Sequence, residues 1–207
     1  MELSEALSQI SDIRRQMARG EVYRGYRSMT VGASGVLALL AAALQTRWVP
    51  SPEGDLERYL GLWIGVAAAS LVAAGVEMSL RARNAGAGLA RQATLLAAEQ
   101  FLPCVVVGAL LTLCITRGAR HVAWMLPGLW ALVFSLGVFA SQRLLPRQVV
   151  WVGVYYAACG CVCLAGGQGR SMYAPWQMGV AFGGGQLLAA AILYWTLERA
   201  DAWQGQG

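Results

Sequence analysis

Six stretches of about twenty residues, each almost free of charge, constrain this chain more than any other feature. They cover approximately residues 29–48, 59–78, 94–116, 122–141, 149–166 and 175–197. A helix rises about 1.5 Å per residue, so roughly 20 residues cross the ~30 Å of hydrocarbon in a bilayer. No water reaches a free N–H or C=O there, which leaves the α-helix and the closed barrel as spanning structures. Barrel strands would be about ten residues long and would alternate in polarity. These runs do neither. Helices of a water-soluble bundle would carry a polar face, whereas these are apolar nearly all round. The pattern predicts an all-α, polytopic transmembrane bundle of six helices occupying residues 28–199, with a short tail at 200–207.

Composition supports the same class. Charged residues make up 13% of the 207, against 57% hydrophobic, and a soluble domain carries about 25% charged residues. The formal net charge is +5. Basic cytoplasmic loops account for such an excess in a membrane protein, so direct nucleic-acid binding is not expected. With the N-terminus in the cytoplasm, eleven arginines fall on that side and five on the other. That is the direction of the positive-inside rule. The loop at 117–121, with Arg117, Arg120 and His121, runs against it. An even number of crossings also places the C-terminus in the cytoplasm.

Residues 1–27 precede the first run and lack the short apolar core of a signal peptide. The first hydrophobic helix is expected to act as the insertion signal. Leu3, Leu7, Ile10, Ile13 and Met17 recur at spacings of three and four, which predicts an amphipathic helix. It would lie on the membrane interface, dock a cytoplasmic protein partner or bind a second copy. Short loops suggest three sequential helical hairpins. Leu126-Pro127-Gly128-Leu129-Trp130 and Ala174-Pro175-Trp176-Gln177-Met178 open two even-numbered helices alike, and Leu60-Gly61-Leu62-Trp63-Ile64 opens the third.

Residues able to carry chemistry are few. Glu99, followed by Gln100, lies inside the third run, and Glu77 lies near the end of the second. A carboxylate in lipid is costly and should face protein, water or a partner. The two form an Arg–Glu clamp on the hairpin or a polar relay site, or simply snorkel to the interface. Pro103 removes a backbone donor one turn later and predicts a kink. Gln186, near the middle of the sixth run, follows Gly183, Gly184 and Gly185; these predict close helix packing, with Gly153 and Gly160 of run five as a matching small face. Cys159, Cys161 and Cys163 do not share one helix face, and tetrahedral zinc needs four ligands, so they read as small apolar fillers. His121 is the single histidine. No nucleotide-binding or hydrolase motif occurs. Neither catalytic residues nor metal ligands nor a cofactor can be assigned.

The layout resembles an uncharacterised family of small six-helix bacterial integral membrane proteins. The resemblance rests on Ile13-Arg14-Arg15-Gln16-Met17 with Tyr26-Arg27-Ser28, on Leu126-Pro127-Gly128-Leu129-Trp130 with Gly137, and on Trp176-Gln177-Met178-Gly179 with Gly183. Such proteins are often encoded beside a winged-helix regulator. The resemblance implies a bacterial inner membrane and a sensing, regulatory or scaffold role, and it carries no active-site residue. Three function classes follow: a membrane scaffold, sensor or regulatory subunit; a small oligomeric transporter or channel with a polar site near Glu99; and an intramembrane enzyme or cofactor protein.

Overall fold

The structure is a computed structural model describing residues 28–84, 89–144, 147–167, 169 and 172–198. The amphipathic segment with Leu3, Leu7, Ile10, Ile13 and Met17 lies outside the described residues, as does the tail from 199. Among the described residues, six helices make the fold. They are α1 (Ser28–Trp48), α2 (Leu56–Asn84), α3 (Leu89–Gly118), α4 (Arg120–Ala140), α5 (Arg147–Gly166) and α6 (Pro175–Thr196). Each contains a stretch long and apolar enough to cross a membrane. Among the described residues there is no strand. The chain is an all-α, multi-pass helical bundle.

Helices α2 and α3 are 29 and 30 residues long, or about 44 Å each. They outrun the hydrocarbon, and both extend past their apolar runs at the end where the chain enters. Hydropathy falls there, but residues such as Arg and Ala keep helical propensity high. Proline sits at the start of the α-helical part of α4 and at the first turn of α6, where no helical N–H bond is lost. At the opposite end Arg120 pairs with Glu57 at 3.1 Å. The basic loop at 117–121 therefore shares an end with the acidic loop before α2, and both α3 and α4 traverse the bundle.

Contact is heaviest between α4 and α5 and between α1 and α6. Helix α3 packs on α4, α2 packs on α1, and α2 touches α3 little. The sequential pairs α1/α2, α3/α4 and α5/α6 are each in contact, and the heaviest contacts join one such pair to the next. Glycine explains where the close pairs form. A Cβ on Gly128 would lie 2.9 Å from the Gly160 carbonyl, and one on Gly160 would lie 2.9 Å from the Gly128 carbonyl. In the other pair, a Cβ on Gly35 would lie 3.0 Å from the Gly183 carbonyl, and one on Gly179 would lie 2.8 Å from Ala42. Such approach maximises dispersion contact where lipid removes the hydrophobic drive for association.

The glycine pairing drawn from sequence is corrected in one respect. Gly153 and Gly160 face Phe139 and Leu132 of α4, not α6. Gly183 faces Leu39 of α1, while Gly184 and Gly185 receive Tyr155 and Tyr156 of α5. Helix α5 offers its glycines to one neighbour and its tyrosines to the other. Residues Gly179–Gly184 form a π-helical turn, and the Tyr155 hydroxyl donates to the Val180 carbonyl at 2.7 Å. A wide turn disturbs the regular ladder, and Tyr155 supplies a donor to one of its carbonyls. Tyr156 stacks with Phe134 and Phe182, joining α4, α5 and α6. Trp130 of α4 donates to Thr112 of α3 at 2.9 Å. Trp48, Trp151 and Trp195 stand exposed near helix ends, the headgroup level that tryptophan prefers.

These contacts predict opposite effects for two glycines. Gly160→Ala should destabilise the protein by about 1–3 kcal/mol through overpacking. Gly61→Ala, where an added Cβ meets nothing within 4 Å, should be neutral or stabilising by up to ~1 kcal/mol. Thermal unfolding in detergent, followed by circular dichroism, distinguishes them; equal midpoints would contradict this packing.

Candidate functional site

Two polar regions lie at opposite ends of the bundle. The first is a groove of about 420 Å³ between α1 and α2, at the end where the chain enters. Thr30 and Ser34 of α1 and Ser70 and Glu77 of α2 line it, with Leu37 and Ala73 among the apolar walls. The hydroxyl of Ser34 donates to the Val31 carbonyl at 2.7 Å, and that of Ser70 to the Val66 carbonyl at 2.8 Å. Both serines spend their protons within their own helices. Their lone pairs remain as acceptors beside the half-buried Glu77. The lining runs from Glu77 back to Ala69, which is about 12 Å along the helix axis. The groove therefore starts where the apolar stretch of α2 ends, at Glu77, and runs about two turns back along it.

The other residues singled out from sequence do not share this site. No described residue of α3 lines the groove. Glu99 stands exposed where the apolar part of α3 begins, and Pro103, one turn further on, is also exposed. Gln100 turns inward, and its amide oxygen is buried with no hydrogen-bond partner among the described residues. Gln186 is half-buried at the α1/α6 contact, where a Cβ on Gly35 would lie 3.1 Å from its own Cβ. It also adjoins the Tyr156 hydroxyl of α5, which makes no hydrogen bond among the described residues. Cys163 is buried, Cys159 half-buried and Cys161 exposed, and all three are free thiols. Among the described residues no group of three His, Cys, Asp or Glu side chains is placed to hold a metal ion.

The second region is a buried clamp at the far end. Gln45, near the end of α1, is 1% exposed. Its amide nitrogen donates to the Tyr173 carbonyl at 2.7 Å, and its amide oxygen accepts from the Trp63 indole at 3.0 Å. One side chain thereby ties α1 to α2 and to the loop before α6. Tyr173 adopts a left-handed backbone with φ 55°, a rare state for a bulky residue that costs on the order of 1–3 kcal/mol. The Gln45 bond and an edge-on contact with the Tyr59 ring at 4.9 Å hold it there. Burial, and secondarily the Glu53 carboxylate, push the Tyr173 phenol above its ordinary pKa. It therefore stays neutral at physiological pH. The hydroxyl of Tyr59 is fully buried and has no partner among the described residues. This arrangement fixes three chain segments and holds no acid–base pair.

Sequence reading missed this clamp. Gln45 and Tyr173 are 128 residues apart, and no local pattern links them. The available signal was a lone amide in an apolar run, with Tyr59 and Trp63 one turn apart on the facing helix.

Gln45→Leu would orphan the Trp63 indole N–H and the Tyr173 carbonyl, at roughly 1–3 kcal/mol for each group. A lowered unfolding midpoint is expected, with Tyr59→Phe unchanged or higher because it removes an unpaired buried hydroxyl. Denaturation of both variants in the same detergent checks this. If Tyr59→Phe were the more damaging of the two, the assignment of Gln45 as the tie would be wrong. Comparison with known proteins finds no matching family model, no matching curated protein and no matching solved structure.

Proposed function

We propose that this protein is an integral membrane scaffold, sensor or regulatory subunit that works through assembly with other helices. The observation that carries this reading is the open state of the glycines on the outer helices. A Cβ on Gly61, Gly65 or Gly75 of α2, or on Gly108 of α3, would meet nothing within 4 Å. Glycine inside a helix costs about 1 kcal/mol relative to alanine. At Gly61 and Gly65 that cost is offset only when another helix approaches, and a four-residue spacing of small residues suits such an approach. In this reading residues 1–27 form the cytoplasmic docking helix, with Leu3, Leu7, Ile10, Ile13 and Met17 as its apolar stripe. Residues 28–199 form the membrane domain. The arginine asymmetry and the family resemblance support a bacterial inner membrane with both termini cytoplasmic.

Copies labelled with donor and acceptor dyes and mixed in vesicles should show energy transfer. A Gly61→Ile/Gly65→Ile variant should lose most of it, as should a variant lacking residues 1–22 if that helix also binds a second copy. Monomeric behaviour of the unmodified protein, with no change in either variant, counts against the proposal.

A second reading, a small oligomeric transporter or channel, draws on the buried amide oxygen of Gln100 beside Glu99. Reconstituted protein would then move protons or a solute, and Glu99→Gln would reduce that flux. Vesicles that stay sealed across a broad solute panel dismiss it.

A further inference from the structure

The α1/α2 groove owes its space to small side chains. Ala33 of α1 and Ala69 and Ala73 of α2 line it, and each stops at Cβ. Leu37 and Met29 continue the wall. Ser34 and Ser70 donate to carbonyls of their own helices, so the surface between them is largely aliphatic. The mouth lies at the end where the chain enters, at the level where the apolar stretch of α2 ends. Met29 stands at that mouth and is 78% exposed. An occupant of this volume has to bring aliphatic side chains, and it has to bring them to the boundary between hydrocarbon and headgroups.

The chain itself carries such side chains next to the mouth. Residues 1–27 lie outside the described residues, and they join α1 at Ser28, one residue before Met29. Their stripe of Leu3, Leu7, Ile10, Ile13 and Met17 has helical spacing. A helix with such a stripe lies in the plane of the interface, its apolar face about 5–10 Å into the acyl boundary. Stripe and mouth therefore meet at one depth. Ile13 and Met17 are four residues apart and share a face, whereas Asp12 falls on the opposite side. The ten residues 18–27 reach up to about 33 Å when extended, and Gly20 and Gly25 let the chain turn back. We propose that the α1/α2 groove is the docking site of the chain's own N-terminal amphipathic segment, with Ile13 and Met17 seated against Met29, Ala33 and Ala73. This rests on the reading of residues 1–27 as a docking helix and adds its regulation: the stripe stays covered by its own chain until a partner displaces it.

Photocrosslinking of the full-length protein in vesicles tests it. The photoreactive residue p-benzoylphenylalanine replaces Met17 in one preparation, Ile13 in a second and Asp12 in a third. Unlabelled and isotopically heavy copies are mixed, and crosslinked peptides are mapped by mass spectrometry. The probes at positions 13 and 17 should link to peptides containing Met29, Ala33 or Ala73 within the same copy. The probe at position 12 should not. Ala73→Leu fills the groove and should lower the yield roughly tenfold, the equivalent of about 1.4 kcal/mol of docking. Circular dichroism confirms that the variant is folded; if it is not, the crosslink map decides alone. Links to lipid only assign the groove to an acyl chain and overturn the proposal. Links only between light and heavy copies assign it to a second copy and also overturn it. An equal yield from position 12, or a yield unchanged by Ala73→Leu in folded protein, does the same. If deleting residues 1–22 abolishes energy transfer while no probe links to the groove, the assembly reading stands and this one fails.

Discussion

Hydrocarbon offers a backbone amide no partner, and almost every feature of this molecule follows from that. Each crossing segment must bond internally, so each is a helix. Once all six are helical and apolar, lipid competes on equal terms with protein for their side chains. Association then depends on how closely backbones approach. The Gly128/Gly160 and Gly35/Gly183 contacts supply that closeness. They join α4 to α5 and α1 to α6, and these two pairs form the core on which the outer helices lean. The π-helical turn in α6 fits the same logic. It places Gly183 against α1 and Gly184 against Tyr155, and Tyr155 bonds one of its carbonyls.

The bundle is consequently uneven. The apolar window of α4 is 44% buried, whereas that of α3 has no buried residue. Helices α2 and α3 present most of their surface outward, and their glycines are open where those of the core are filled. Polarity is concentrated at the two ends. At the far end a single glutamine holds a strained loop and a tryptophan. At the entering end α1 and α2 leave a groove between them, with a carboxylate and two serine acceptors along it.

Legibility followed the range of the interaction responsible. The six spans and their class could be read because hydropathy and length act locally. Glu77 could be flagged because a carboxylate in an apolar run is conspicuous. Its companions Ser34 and Ser70 could not, since a serine in an apolar helix usually satisfies itself on its own backbone. The acceptor character of the groove comes from that same self-satisfaction, seen only when the two helices are placed side by side. Glu99 and Pro103 were as conspicuous as Glu77, yet both point outward. The difference is a matter of helix rotation about its axis, which an almost uniformly apolar helix does not encode.

From the sequence alone came the six crossings, the membrane class, and the absence of any recognisable catalytic motif, because these depend on the transfer free energy of successive residues. The tertiary structure decided which helices are neighbours, which glycines are filled and which are open, and that Gln45 reaches Tyr173. Those outcomes depend on the fit of one helix surface to another. In a chain where nearly every face is apolar, burial favours no single pairing, and only the geometry of close contact can choose among them.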